Sequence, residues 1–161
     1  MTQLYLLRHA DAGDPLGWHG PDEQRPLSDR GHKQADRLGR FLAALGFRPD
    51  VILTSPKVRA AETAEIVGRH LSMSATVDDR LGDVLGLGEL ERILRTAGDP
   101  DRPVIVGHDP DFSDLVTALC ETTRVPMRKG ALARIDVGRP LEPGDGTLRW
   151  LLPPDALKPE H

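Results

Sequence analysis

At 161 residues with 39% hydrophobic content, the chain can bury one full core, and a single domain is expected. Aromatic residues make up only 4%, so that core has to rest on Leu, Val, Ile and Ala. A formal net charge of −4 excludes a general nucleic-acid binder, which needs a basic face, and no apolar stretch is long enough to span a bilayer.

The first element is the run Leu4-Tyr5-Leu6-Leu7, apolar at every position, which reads as a strand covered on both faces. The chain enters it at once, so no secretory leader is expected. Arg8 and His9 follow directly, at the carboxyl end of the strand, where open α/β sheets bind their ligands. Residues 11–25 hold Gly13, Pro15, Gly17, Gly20 and Pro21 and form a long irregular loop beside that point. Ser28 is an N-cap for a helix whose apolar positions are Ala35, Leu38, Phe41, Leu42 and Leu45, closed by Gly46. A second strand, Val51-Ile52-Leu53, leads to Ser55-Pro56, which reads as N-cap and first residue of a helix running toward His70. A short strand at 75–77, a loop at 78–88 and a helix at 89–97 come next. The third apolar run, Val104-Ile105-Val106, ends in Gly107-His108-Asp109-Pro110 and opens a helix from about 111 to 120. Strands at 131–137 and 147–152 are joined by a long hairpin turn. Residues 1–153 thus form the domain, and 154–161 are expected to be a loose C-terminal tail. The strand-loop-helix repeats predict an α/β fold, a three-layer α/β/α sandwich around a mostly parallel sheet.

Each apolar run delivers chemistry to the same sheet edge. The first supplies Arg8 and His9, the second Ser55 and Arg59, the third His108. Parallel neighbours lie about 4.8 Å apart, so these side chains can meet around one small anion. Two guanidiniums and two imidazoles suit a phosphoryl group. Ser55 reads as a cap rather than a nucleophile. Asp109, Asp111 and Asp114 read as helix-start carboxylates, and Asp11 and Asp14 lack ligand spacing, so no metal and no cofactor are expected. Asp11 has the alternative of orienting a catalytic group. His19, His32, His70 and His161 look incidental, although His19 lies in the loop near the site. Lys57, Arg128 and Lys129 read as solvated surface, with a basic rim for an acidic partner as the alternative. Cys120, the lone cysteine, permits no intrachain disulfide and sits in an apolar stretch as a small buried hydrophobe, which suits a reducing cytoplasm.

Leu6-Leu7-Arg8-His9-Ala10, then Ser55-Pro56-Lys57-Val58-Arg59-Ala60-Ala61-Glu62-Thr63-Ala64, then Val106-Gly107-His108 resemble, in order, the motifs of the histidine phosphatase superfamily, whose fold is phosphoglycerate mutase-like. Arg25-Pro26-Leu27-Ser28-Asp29-Arg30-Gly31 resembles the family's segment before its first long helix. The short 78–88 segment leaves no room for the capping insertion of mutases and acid phosphatases, so the chain is most similar to the compact SixA-type phosphohistidine phosphatases. The resemblance implies that His9 attacks phosphorus and carries a transient phosphohistidine, with Arg8, Arg59 and His108 holding the non-bridging oxygens. Arg25 and Ser55 are candidate substrate contacts. The carboxylic acid that mutases and alcohol phosphatases place for the leaving group has no clear motif here: Asp79, Asp83 and Glu89 are the choices, with Asp83 preferred. Its absence favours a phosphohistidine substrate, whose P–N bond is weaker than an ester bond. The expected activity is a metal-independent phosphatase acting on a phosphohistidine-bearing protein. The alternatives are a phosphatase of a small phosphorylated metabolite and a phosphohistidine-binding module without turnover. No nucleic-acid or membrane partner is expected, and the oligomeric state is left open with a monomer favoured.

Overall fold

Alternation of buried and exposed residues fails in β1, Thr2–Arg8, where Leu4, Tyr5, Leu6 and Leu7 are buried in succession. Such a strand needs a layer on each face, and the computed structural model, which describes residues 1–159, supplies both. β1 stands in a six-stranded sheet with β2 (Val51–Thr54), β3 (Thr76–Val77), β4 (Pro103–Gly107), β5 (Leu132–Val137) and β6 (Thr147–Leu152), in the order β3-β2-β4-β1-β5-β6. β1, β2, β3 and β4 run parallel; β5 is antiparallel to β1 and β6 to β5. On one face α1 (Asp29–Ala44) and α2 (Val58–His70) bring Leu38, Leu42, Ala60, Ala64 and Val67 onto Tyr5, Leu7, Ile52 and Val106. On the other, α3 (Leu87–Thr96) and α4 (Asp111–Cys120) pack Leu90, Leu94, Phe112, Leu115 and Leu119 onto Leu4, Leu6, Ile105 and Ile135. The result is the three-layer α/β/α sandwich.

α1 starts where Ser28 accepts from the Gly31 N–H. Gly31 is also a point of close approach: a Cβ there would lie 1.9 Å from the Asp11 carbonyl oxygen. That contact seats the loop after β1 on the first turn of α1. Ser28 Oγ reinforces it by donating to the Asp11 carboxylate at 2.6 Å. Asp11 therefore ties the loop to the helix, and its carboxylate also lies 3.6 Å from Lys129 Nζ.

Four expectations are corrected. α2 begins at Val58, with no side-chain cap. Ser55 still follows the sheet, its N–H donating to the Val106 carbonyl at 3.0 Å, so it is not the cap. The 78–88 segment contains a short 3-10 turn, Asp79–Gly82. The segment after Pro153 is not loose at its start: Pro154–Leu157 forms a turn in which Pro154 is buried and Leu157 packs on the α1 side of the core. Two apolar side chains three residues apart share one face of that turn, and burying them offsets the ordering of the backbone. His161, expected to be incidental, lies outside the described residues. Cys120 is half-buried rather than fully buried, and burial pushes its thiol up.

Away from the motifs, Glu91 on α3 is 7% exposed. It accepts from Arg139 Nε at 2.8 Å and from the Leu141 N–H at 2.8 Å, tying α3 to the β5–β6 hairpin. The Arg139 hydrogen bond outweighs burial and holds the Glu91 carboxyl down to about 2.

Candidate active site

β1, β4 and β2 end side by side, and their carboxyl ends place Arg8, His9, Ser55 and His108 on one sheet edge. His9 is pinned through its backbone. Its N–H donates to the Gly107 carbonyl at 2.9 Å, and its own carbonyl accepts from Gly130 at 2.9 Å. The side chain is 5% exposed, with Nδ1 2.7 Å from the Ala10 carbonyl oxygen. A carbonyl only accepts, so the neutral ring carries its hydrogen on Nδ1 and leaves a lone pair on Nε2. Burial, joined by the charges of Arg59, Arg8 and Lys129, pushes His9 down to about 4 against the opposing pull of the Ala10 bond.

The His108 ring lies 5.3 Å from the His9 ring, centroid to centroid, tilted by 51°. Its Nε2 is 2.7 Å from Ser55 Oγ. Burial, then His9, Lys57, Arg59 and Arg8, lowers His108 to about 3. Both imidazoles are therefore neutral at pH 7 in the unliganded site.

Arg59 is the second residue of α2 and 6% exposed. Its Nη1 donates to the Asp22 carbonyl at 2.9 Å and its Nη2 to the Asp22 carboxylate at 3.1 Å. Arg8 Nη1 donates to the Met127 carbonyl at 2.8 Å. Arg8 Nε, Arg59 Nε and His108 Nδ1 are buried nitrogens that meet no partner, and no other side-chain N or O among the described residues is in that condition. Buried polar groups are nearly always paired; here the exceptions all belong to the predicted motif residues.

The other candidates are placed differently. Arg25 is 7% exposed and directs Nη1 to the carbonyls of Ala12 and Gly13 and Nε to Asp22, so these donors are spent on holding the loop. Ser55 is fully buried and its hydroxyl is on His108, so it reaches any ligand only through that imidazole. Asp83 is exposed with no side-chain hydrogen bond; its neighbour Gly82 lies against Pro56, and a Cβ there would stand 3.7 Å from Ser55 Oγ. Asp83 thus follows a segment that crosses the rim of the site.

Three further residues shape the site. Asp22 takes a donor from both Arg25 and Arg59. Although desolvation pushes its carboxyl up, the Arg25 bond and the Arg59 charge bring it below the usual range. Thr63 Oγ1 donates to the Arg59 carbonyl at 2.7 Å and accepts from the Ala10 N–H at 3.1 Å, joining α2 to the loop that bears His9. Gln34 accepts from the Asp11 N–H at 2.9 Å. Thr63 had a signal, standing one turn after Arg59 in the second motif; Asp22 and Gln34 had none.

The site is open. A groove of about 660 Å³ runs from Arg8 between the start of α4 and the 123–128 segment, which carries Arg124 and Arg128. A smaller one, about 240 Å³, runs from Arg8 past Arg30 and Lys129. Among the described residues no group of three His, Cys, Asp or Glu side chains is placed to hold a metal ion, and no helix is long and apolar enough to cross a membrane.

A solved structure of the protein histidine phosphatase SixA complexed with tungstate superposes with a TM-score of 0.82 at 27% identity, covering 98% of this chain and 100% of that one. The alpha-ribazole phosphatase of Shigella flexneri shares the fold, with a TM-score of 0.72 at 19% identity over 95% of this chain and 97% of its own. In sequence, the phosphohistidine phosphatase SixA of Escherichia coli strain K12 is 30% identical over 162 residues, which is 97% of this chain and 96% of that protein. The model of the histidine phosphatase superfamily (branch 1) matches residues 4–104, a span holding Arg8, His9, Ser55 and Arg59, and the chain belongs to that superfamily.

Proposed function

We propose that this protein is a phosphatase that hydrolyses phosphohistidine on another protein through a phosphorylated His9. The observation that carries the proposal is the gathering of unmet buried nitrogens on Arg8, Arg59 and His108 around a histidine whose Nε2 lone pair is free. Leaving such donors unpaired costs on the order of 1–3 kcal/mol each, and an oxyanion is the ligand that offsets it. The identity to SixA along almost the whole chain supports phosphohistidine as the substrate.

In the first step His9 Nε2 forms a bond to phosphorus in line with the departing imidazole nitrogen, and the substrate P–N bond breaks. The neutral state of His9 at pH 7 keeps its lone pair available. Arg8 and Arg59 hold the non-bridging oxygens, where charge concentrates in the transition state. His108, neutral because burial holds it at about 3, offers its single ring hydrogen to another of these oxygens. The departing imidazole nitrogen is basic and takes its proton from solvent, so little is asked of Asp83. Water then attacks phosphorus, the His9 P–N bond breaks, and inorganic phosphate leaves. The cationic side chains supply the charge stabilisation, and no metal is required. The two grooves that meet at Arg8 give a folded surface room to approach beside the site, in keeping with a cytoplasmic role in signal transduction.

Turnover of a phosphohistidine-bearing protein is to be compared with a panel of small phosphoesters. The proposal expects a kcat/KM on the phosphoprotein well above that on any ester. A small ester turned over as well or better would favour a metabolite phosphatase. Vanadate binding without hydrolysis of any substrate would leave only a binding module.

A further inference from the structure

Ser55 is fully buried, and its hydroxyl has two recorded partners. It accepts from the Lys57 N–H at 3.2 Å and lies 2.7 Å from His108 Nε2. Its backbone is fixed by the bond to Val106, and Pro56 and Gly82 close over it. The hydroxyl has one hydrogen to give. Were Nε2 of a neutral His108 to carry the ring hydrogen and donate to Ser55, the hydroxyl hydrogen would have no acceptor and no access to water. The Nδ1 lone pair would be unmet as well. With the hydroxyl donating to Nε2, the single unmet group is an Nδ1–H. One unmet buried group is favoured over two.

We infer that Ser55 is a positioning residue that donates to His108 Nε2 and so holds that imidazole as the tautomer with hydrogen on Nδ1. The only hydrogen His108 then offers a ligand is on the edge of the ring away from Ser55. In the proposed phosphatase this turns His108 into a donor toward a phosphoryl oxygen, where the other tautomer would present a lone pair to an anion. That consequence rests on the phosphatase reading; the tautomer itself does not.

Side-chain 15N–1H correlation spectra of the unliganded protein at pH 7 test it, with the His108 signals assigned by their loss in His108→Gln. The expected result is a protonated, pyrrole-type Nδ1 and a bare, pyridine-type Nε2. In Ser55→Ala the pattern shifts toward hydrogen on Nε2, and Ser55→Thr, which keeps the hydroxyl, restores it. On a phosphohistidine peptide Ser55→Ala loses kcat/KM on the order of ten- to a hundredfold, as do other losses of a group that orients an imidazole, and Ser55→Thr recovers most of it. A protonated Nε2 in the wild-type protein overturns the inference, whether or not the alanine variant folds. An unchanged His108 tautomer in a folded Ser55→Ala protein overturns it too. The expected spectra from a protein without phosphatase activity would uphold Ser55 and overturn the proposed function instead.

Discussion

Arg59→Met separates a binding clamp from a structural ion pair. Methionine keeps most of the buried volume and removes the guanidinium. Two contacts are lost: the bond from Nη1 to the Asp22 carbonyl, and the pair with the Asp22 carboxylate, whose side chain is 54% exposed. The first contributes roughly 1.5–2 kcal/mol, as a bond from a charged donor. The second contributes about 0–1 kcal/mol because its partner is half in water. Against these stands the removal of a buried, unmet Nε, which costs the wild-type fold about 1–3 kcal/mol. It also removes a positive charge from a site already holding Arg8. Stability should therefore change by no more than about 2 kcal/mol in either direction. Catalysis should lose about 3–4 kcal/mol of transition-state stabilisation, or 10²–10³ in kcat/KM, as when an oxyanion donor is removed elsewhere. Urea unfolding and kcat/KM on a phosphohistidine peptide measure the two. A destabilisation above about 3 kcal/mol, of the size seen when a buried ion pair is broken, together with near-normal kcat/KM per folded molecule, would refute the reasoning.

Asp22→Asn keeps the carbonyl anchor on Arg59 and removes the carboxylate, so kcat should fall about tenfold, near 1.5 kcal/mol, while stability shifts by less than 1 kcal/mol; an unchanged kcat would show that Arg59 does not depend on that carboxylate. The acid limb of kcat/KM, corrected for the ionisation of the substrate, should lie near pH 4, because burial holds free His9 at about 4 instead of 6.5, and a limb at 6.5 would contradict that burial. Stability follows the same sign: His9 and His108 take up protons later in the folded chain than in the unfolded one, so their contribution is full above 6.5 and is lost as pH falls through about 4 and 3, which urea midpoints across that range would reveal. Gly31→Ala drives a methyl to 1.9 Å from the Asp11 carbonyl and should cost about 2 kcal/mol or more by forcing the loop off α1; a Tm within 1–2 °C of wild type would refute the close approach.

The sheet was legible because β1, β2 and β4 are apolar on both faces, a pattern that only a covered central strand satisfies. The spatial meeting of Arg8, His9, Ser55, Arg59 and His108 was legible for the same reason, since parallel strands bring their carboxyl ends together. What escaped had no periodicity to betray it. Asp22 lies in a loop whose path is set by tertiary contacts, and an aspartate among prolines reads as a turn residue. Ser55-Pro56 carries the signature of a helix start, yet Ser55 completes the sheet register and spends its hydroxyl on His108, so a strong local signal was overridden by a tertiary one. Glu91 has the charge of a solvated helix face, and only the return of Arg139 from the far hairpin explains its burial. Arg25 could be seen as a cation near the site but not as one whose Nη1 is taken by loop carbonyls and whose Nε is taken by Asp22.

Rapid quenching without acid, after mixing with 32P-labelled phosphohistidine protein, followed by mapping of the label, bears most directly on His9 as nucleophile. Label on His9 that is absent from His9→Ala is the predicted result. Label retained in His9→Ala, or carried by any other residue, would contradict it.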